Sequence, residues 1–422
     1  MIRPGFYGWK IVIASLFCYS TSVGQFTVFA LSIFLIPLQA EFGWQRGDIL
    51  EATFYLTLTQ ALMNPVMGRL IDLYGVRKVL IPTMLIYGLL LGAIPFTISD
   101  YKHIYFIFAM MGVVGAGSAA IPYLRVAGAW FFRNRGLAFG VTISGGALGY
   151  AYTPILVQYM IDHHGWRSGY YALSTLVLFA ALPLAYLMLR NKPADLNLFP
   201  DGDLKSQISE NSDPENTLNL HWTDLVKMRV FYQLFVIFLF MTFCLYGLMT
   251  NLVPMLNDRG MTSSMAVSVA AALATSMLFS RIAVGYLLDR YFAPKVAMVC
   301  VTFAIFGIAL LASDVTGMGA FVAAIFIGVS IGAEFDILAY LITRYFGLQN
   351  FGMVYGILFS SFLIGVSIGP KAFGEAFDAQ GSYYLILIAS CIILAITVLM
   401  LWRLPKYENV TKSNDKSTSK IT

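Results

Sequence analysis

Twelve runs of mainly apolar residues, each long enough for a helix to cross a hydrocarbon core, constrain this chain more than any other feature. A crossing takes about 20 residues at roughly 1.5 Å per residue. The runs fall at about 8–36, 49–68, 79–98, 104–130, 137–160 and 169–190, then at about 229–254, 264–288, 295–313, 318–344, 351–377 and 383–403. Lipid offers no hydrogen-bond partners, so segments of this kind satisfy their backbones within helices. The expected fold class is therefore an all-α membrane protein of twelve transmembrane helices. Composition agrees, because 59% of the 422 residues are apolar and 12% are charged, against about 25% charged in soluble domains. The first run follows "MIRPGFYGWK" at once and is too long for the apolar core of a signal peptide.

The runs divide into six and six. The polar interval includes "NKPADLNLFPDGDLKSQISENSDPENTLN", whose composition suits a flexible linker. The tail "KYENVTKSNDKSTSKIT" is expected to be mobile. The expected organisation is a six-helix bundle at 1–190, a cytoplasmic linker at 191–227, a second six-helix bundle at 228–404 and a cytoplasmic tail at 405–422. Lysine and arginine placement predicts the orientation. With both termini inside, the cytoplasmic loops carry Arg69, Arg77, Lys78, Arg133, Arg135, Arg290, Lys295 and Arg344. The opposite loops carry only Arg46, Lys102, Arg167 and Arg259.

Two corresponding loops repeat a pattern. After the second run the chain reads "GRLIDLYGVRKVL", and after the eighth "GYLLDRYFAPKVAMV". In each, a glycine (Gly68, Gly285) stands four residues before an aspartate (Asp72, Asp289), and a lysine (Lys78, Lys295) follows six later. Glycine lets two helices approach closely. The aspartate can cap or pair at a helix end, and the basic residues, Arg77, Lys78 and Arg290 among them, hold a short cytoplasmic loop.

Charges inside the runs are costly, about 2.5–3.5 kcal/mol each on insertion scales, and normally face the bundle interior. In "FSRIAVGYLLDR", Arg281 lies two turns before Asp289, roughly 10 Å inside the end of its helix. Its planar fork matches a carboxylate at two points; a helix–helix ion pair or snorkelling is the bland alternative. The tenth run, "GVSIGAEFDILAYLITRYFG", holds Glu334 and Asp336. Residues two apart lie on different helix faces, so one carboxyl suits a proton carrier and the other a partner for Arg125 or Arg281. Tyr340 shares a face with Asp336. Arg125 in "AAIPYLRVAGAW" can contact an anion, snorkel or pair, and Tyr123 is a weaker candidate on the same run. Lys371 and Glu375 are four apart and can pair along one helix.

The first of the two loops resembles the signature of the major facilitator superfamily, Gly-x-Leu-x-Asp-Arg-x-Gly-Arg-Lys, departing from it at Leu73 and Val76. The six-plus-six pattern extends the resemblance over nearly the whole chain. It implies two pseudo-repeats related by an axis along the membrane normal and a central cavity worked by rocking. Spans 1, 4, 7 and 10 would line that cavity most directly, with 2, 5, 8 and 11 flanking it. "FYGWKIVIASLF", "IFLIPLQAEFGWQRGDI", "WFFRNRGLAFG", "GWRSGYYAL" and "GSYYLIL" are similar to the monocarboxylate and oxalate/formate branch. There an arginine in span 8 stands four residues before the loop glycine, as Arg281 stands before Gly285, which implies that Arg281 holds a substrate carboxylate. Three positions depart from that branch. Met277 stands where an aspartate is usual, no lysine occurs between Ile11 and Ile36, and Leu358 replaces the lysine of the oxalate member.

Several classes are set aside. Cys18, Cys244, Cys300 and Cys391 all lie in apolar runs, which argues against a disulfide framework or a Cys/His metal site. The net charge of +5 comes without the basic stripe of a nucleic-acid binder. "GVVGAGSAA" and "SGGALGYAY" are read as close helix packing and hinges, because they lack the strand–loop–helix context of a phosphate site. The reading is a monomeric, cofactor-free, multi-pass transporter in the cell membrane, the inner one if bacterial, and not an enzyme. Its substrate would be a small organic anion such as lactate or pyruvate, with a proton as co-substrate. The alternatives are a dicarboxylate or formate exchanger, an exporter of drug-like or siderophore-like compounds, and a transporter-like sensor.

Overall fold

In the computed structural model, residues 5–202 and 228–407 are described. Most of the linker, 203–227, and the tail from 408 onward lie outside them. The described chain is helical throughout, with no strand among the described residues. Twelve helical segments appear: α1 (Tyr7–Phe42), α2 (Arg46–Tyr74), α3 (Val76–Thr97), α4 (Tyr101–Trp130), α5 (Arg135–His164) and α6 (Trp166–Met188), then α7 (Arg229–Asp258), α8 (Ser263–Leu288), α9 (Ala293–Ala312), α10 (Met318–Tyr345), α11 (Phe351–Gln380) and α12 (Tyr384–Trp402). Ten of them are long and apolar enough to cross a membrane, and α2 and α5 are the two that are not. The reason is chemical. α2 carries Asp48, Glu51, Gln60, Asn64, Arg69 and Asp72, and α5 has charged or histidine residues at both ends around a glycine-rich middle.

Some helices are interrupted where the sequence turns polar or glycine-rich. α1 runs from Tyr7 to Ser20, breaks, makes a π turn over Gly24–Phe29 and resumes as Ala30–Phe42. The break falls on the polar run "STSVGQ". Its hydroxyls bond locally, with Thr21 Oγ1 donating to the Cys18 carbonyl at 2.9 Å, a habit that competes with the helix ladder. α4 is likewise broken between Gly115 and Ala120, within the run "GVVGAGSAA". α1 also extends to Phe42, six residues beyond the predicted end of its span, before Gly43 closes it at φ 69°.

The described residues separate into two compact units, 5–202 together with 348–357, and 228–347 together with 358–407. In the first, α2 packs on α4, α1 on α5 and α3 on α6. Its core gathers Phe26, Phe34, Leu56, Leu91, Phe108 and Tyr170, and Phe34 stacks on Tyr170 with ring centroids 3.9 Å apart. In the second, α8 and α9 pack on α10, while α9 and α7 pack on α12.

The start of the expected linker is not loose. Residues Pro193–Leu196 and Pro200–Gly202 form short 3-10 turns. Asp201 Oδ2 accepts the backbone N–H groups of Phe132 and Arg133 at 3.0 and 2.9 Å. Asn191 Oδ1 accepts the Arg77 N–H at 3.1 Å. These polar side chains serve N–H groups at helix ends and turns, which accounts for a polar composition that also suits a linker.

Candidate functional site

The second unit holds two buried carboxyl groups with a half-buried arginine beside them. On α10, Gly328 and Gly332 stand four residues apart and press against α8, where a Cβ on either would strike the backbone of Leu273 or Met277. This is the small-xxx-small contact of membrane helices. The close approach fixes the next turn of α10 beside the middle of α8. Glu334 and Asp336 follow there, both fully buried. Arg281 of α8 reaches the same turn of α10. Its guanidinium carbon lies 5.4 Å from the ring centroid of Phe335, the residue between the two acids.

Their buried polar atoms lack partners among the described residues. All four carboxylate oxygens of Glu334 and Asp336, and Nη1 of Arg281, are buried without a hydrogen-bond partner among the described residues. Buried polar groups are nearly always paired, and leaving one unpaired costs about 1–3 kcal/mol, more when charged. One cation and two carboxyls in an apolar bundle can therefore take up an anion at Arg281 and hold or release a proton at a carboxyl. Tyr340 is also buried, one turn beyond Asp336, with the guanidinium of Arg344 5.8 Å from its ring centroid.

The first unit uses its charges differently. Asp72, whose side chain is 2% exposed, lies 3.5 Å from Arg125 Nε. The contact is an ion pair rather than an aligned hydrogen bond, since that Nε has no hydrogen-bond acceptor among the described residues. The two carboxylate oxygens of Asp72 instead accept the backbone N–H groups of Gly352 and Met353, at 3.0 and 2.9 Å. Those are among the N–H groups that a helix leaves without partners at its start, here α11. Gly68 makes the approach possible, because a Cβ on Gly68 or on Gly352 would collide with the other's carbonyl oxygen. Arg69 Nη1 donates to Asn350 Oδ1 at 3.4 Å. Arg77 Nη2 donates to the Tyr186 carbonyl at 2.7 Å, and Lys78 is exposed. Tyr123 is buried and its hydroxyl donates to Met84 Sδ at 3.8 Å. In the second copy of the motif, Gly285 is buried, Asp289 ends α8 and Arg290 is exposed.

Lys371 and Glu375 lie 3.6 Å apart on the exposed face of α11. Sequence reading missed three features of the first unit. Asn64 is fully buried with neither side-chain polar atom hydrogen-bonded. In the broken α1, Ser20 Oγ lies 3.1 Å from the Tyr152 hydroxyl, and Ser22 Oγ donates to Gln25 Oε1. The polar run in an otherwise apolar span was the available signal. Glu41 also receives both guanidinium nitrogens of Arg167, at 2.9 and 2.6 Å, and the indole N–H of Trp166. Because the side chains of Arg167 and Glu41 are 44% and 38% exposed, this fork is weak, in the range of about 0–1 kcal/mol. Arg167→Ala is accordingly expected to lower stability by at most about 1 kcal/mol, with the difference shrinking in high salt. Thermal unfolding at two ionic strengths checks this.

Ten helices long and apolar enough to cross a membrane, one of them carrying two buried carboxyls, describe a polytopic membrane protein. Residues 16–370 match the family model of the Major Facilitator Superfamily, and the chain belongs to that family of membrane transporters. It is 23% identical over 416 residues to monocarboxylate transporter 2 of Homo sapiens, covering 94% of this chain and 85% of that protein. Solved structures share the fold. The proton:xylose symporter XylE bound to 6-bromo-6-deoxy-D-glucose superposes with a TM-score of 0.74 at 12% identity, covering 94% and 96% of the two chains. The human organic anion transporter MFSD10 (TETRAN) gives 0.71 at 12% identity, covering 94% and 100%.

Proposed function

We propose that this transporter carries a small organic anion, a monocarboxylate such as lactate or pyruvate, by alternating access and together with a proton. The observation that carries the reading is the pair of fully buried carboxyls, Glu334 and Asp336, beside half-buried Arg281: neither carboxyl, nor Nη1 of Arg281, has a hydrogen-bond partner among the described residues. An incoming carboxylate would accept two parallel hydrogen bonds from the Arg281 fork, a geometry in which charge-assisted bonds are strongest. A carboxyl on α10 would carry the proton, so that charge is not left uncompensated in the apolar interior. Tyr340, one turn beyond Asp336, would line the path. Arg125 is engaged by Asp72 and Tyr123 by Met84, so the anion is assigned to Arg281. Asp72, with Gly68, Arg77 and Lys78, is assigned to closing the cytoplasmic side. Gly285, Asp289 and Arg290 would be its counterpart in the second copy. The relatives named as monocarboxylate transporters support the substrate class.

The wider arrangement belongs to the same proposal. Both termini face the cytoplasm, as the uneven lysine and arginine placement suggests. Six-helix halves at 1–190 and 228–404 are pseudo-repeats joined through 191–227. The chain works as a monomer in the cytoplasmic membrane.

The test is uptake of labelled lactate, pyruvate, formate, oxalate and a longer dicarboxylate into proteoliposomes, with and without an inward proton gradient. Gradient-stimulated uptake of a short monocarboxylate is expected. Glu334→Gln or Asp336→Asn, whichever removes the proton carrier, is expected to cut net uptake at least about tenfold while leaving carboxylate exchange in place. Carboxylate flux indifferent to the gradient would replace symport by exchange. No carboxylate flux from folded protein would end the anion reading and leave export of drug-like compounds as the function to pursue.

A further inference from the structure

A second candidate site lies on the other side of α8, away from Arg281. α8, α9 and α10 enclose a groove of about 1050 Å³, at the upper end of the volumes that hold small molecules, about 300–1,000 Å³. Along most of its length the walls are apolar, formed by residues such as Phe279, Ala283, Val299 and Phe303. Phe279 and Val299 are 68% and 54% exposed. At one end the walls change character, to Arg290, Tyr291 and Lys295. Both cations are exposed, and neither has an ion-pair partner among the described residues. The Arg290 guanidinium lies over the Tyr286 ring, 3.4 Å from its centroid, a contact that orients it without neutralising it. The neighbouring acid, Asp289, is not among the groove walls, and neither is Arg281.

We propose that this groove binds one anionic phospholipid, with an acyl chain along the apolar walls and the headgroup phosphate between Arg290 and Lys295. The shape and the charge demand the same two-part ligand. A soluble anion would leave the apolar length uncovered. A zwitterionic lipid would cover it but leave two cations without a net counter-charge. Basic pockets between membrane helices are recognised settings for anionic headgroups. The ordinary alternative is lipid of any kind filling an irregular surface, and it predicts no preference among headgroups. The proposal is independent of the transported substrate.

The experiment is native mass spectrometry of the purified full-length protein in detergent, exposed to equal amounts of phosphatidylglycerol and phosphatidylcholine with the same acyl chains. The expected result is one phosphatidylglycerol retained in preference to phosphatidylcholine. Arg290→Gln with Lys295→Gln is expected to lower that preference about thirtyfold, about fivefold for each cation. Val299→Trp fills the apolar part while leaving both cations in place, and is expected to reduce retention of the lipid without any change to the headgroup end. Equal retention of the two lipids by the wild-type protein would overturn the proposal. So would a preference that survives the double substitution, or glycerol 1-phosphate displacing the lipid as effectively as a second lipid does.

Discussion

Arg281→Lys is expected to lose nearly all carboxylate uptake although the positive charge is kept. Lysine offers a single rotating ammonium where arginine offers a flat fork, so a carboxylate that bonds at two points loses one and its orientation with it. Truncating one partner of a buried charge pair costs about 2–5 kcal/mol. Uptake by Arg281→Ala should therefore fall by at least about thirtyfold, with Arg281→Lys close behind. Arg281→Ala also removes the cation beside the turn of α10 that carries Glu334 and Asp336, so binding and coupling should fail together. Proteoliposome uptake, normalised to folded protein by size-exclusion chromatography, measures both variants. Uptake by Arg281→Lys at the wild-type rate would rule out two-point binding at this side chain.

The largest expected effect on stability belongs to Asp72. Its carboxylate serves two backbone N–H groups at the start of α11 and neutralises Arg125. Removing one partner of a buried ion pair costs about 3–5 kcal/mol, because the other charge is left behind. Asp72→Ala should lower the unfolding free energy by about that amount, and Asp72→Asn by less, since an amide oxygen still accepts one N–H. If the unpaired guanidinium causes most of the loss, adding Arg125→Gln to Asp72→Ala recovers part of it. Groups in direct contact are where such non-additivity is expected. Thermal unfolding of the four proteins in one detergent decides the matter. Wild-type stability in Asp72→Ala would remove Asp72 from its structural role.

What could be read from the sequence divides along physical lines. Apolar runs locate helices because each helix must cover its own backbone in lipid, and the twelve segments fall where those runs are. The end of α1 was placed six residues short because "QAEF" is polar enough to look like a loop, although the helix continues through it. Arg281, Glu334 and Asp336 were legible because a charge in an apolar run is expensive and must have a reason. Their closeness to one another was not, since it depends on Gly328 and Gly332 drawing α10 onto α8. The four-residue spacing was there to be noticed. The partner of Arg125 could not be inferred from spacing, because Asp72 lies on a different helix. The fork from Arg167 to Glu41 joins residues 126 positions apart, and no local pattern announces it.

The contact between Asp72 and the start of α11 is one-sided in a way that bears on how such proteins vary. The acid is a side chain, but its two donors are peptide N–H groups, supplied by the backbone at positions 352 and 353 and not by their side chains. No compensating exchange at those two positions can answer the loss of Asp72, and none is needed to keep it, provided that 353 does not become proline, which lacks the N–H, and that 352 keeps a residue without a Cβ. A survey of paired substitutions would leave this contact invisible. Its traces at these positions would be two neighbours from which proline is barred, at 352 joined by the demand for a residue without a Cβ, while any exchange that answers the loss of Asp72 would fall at Arg125.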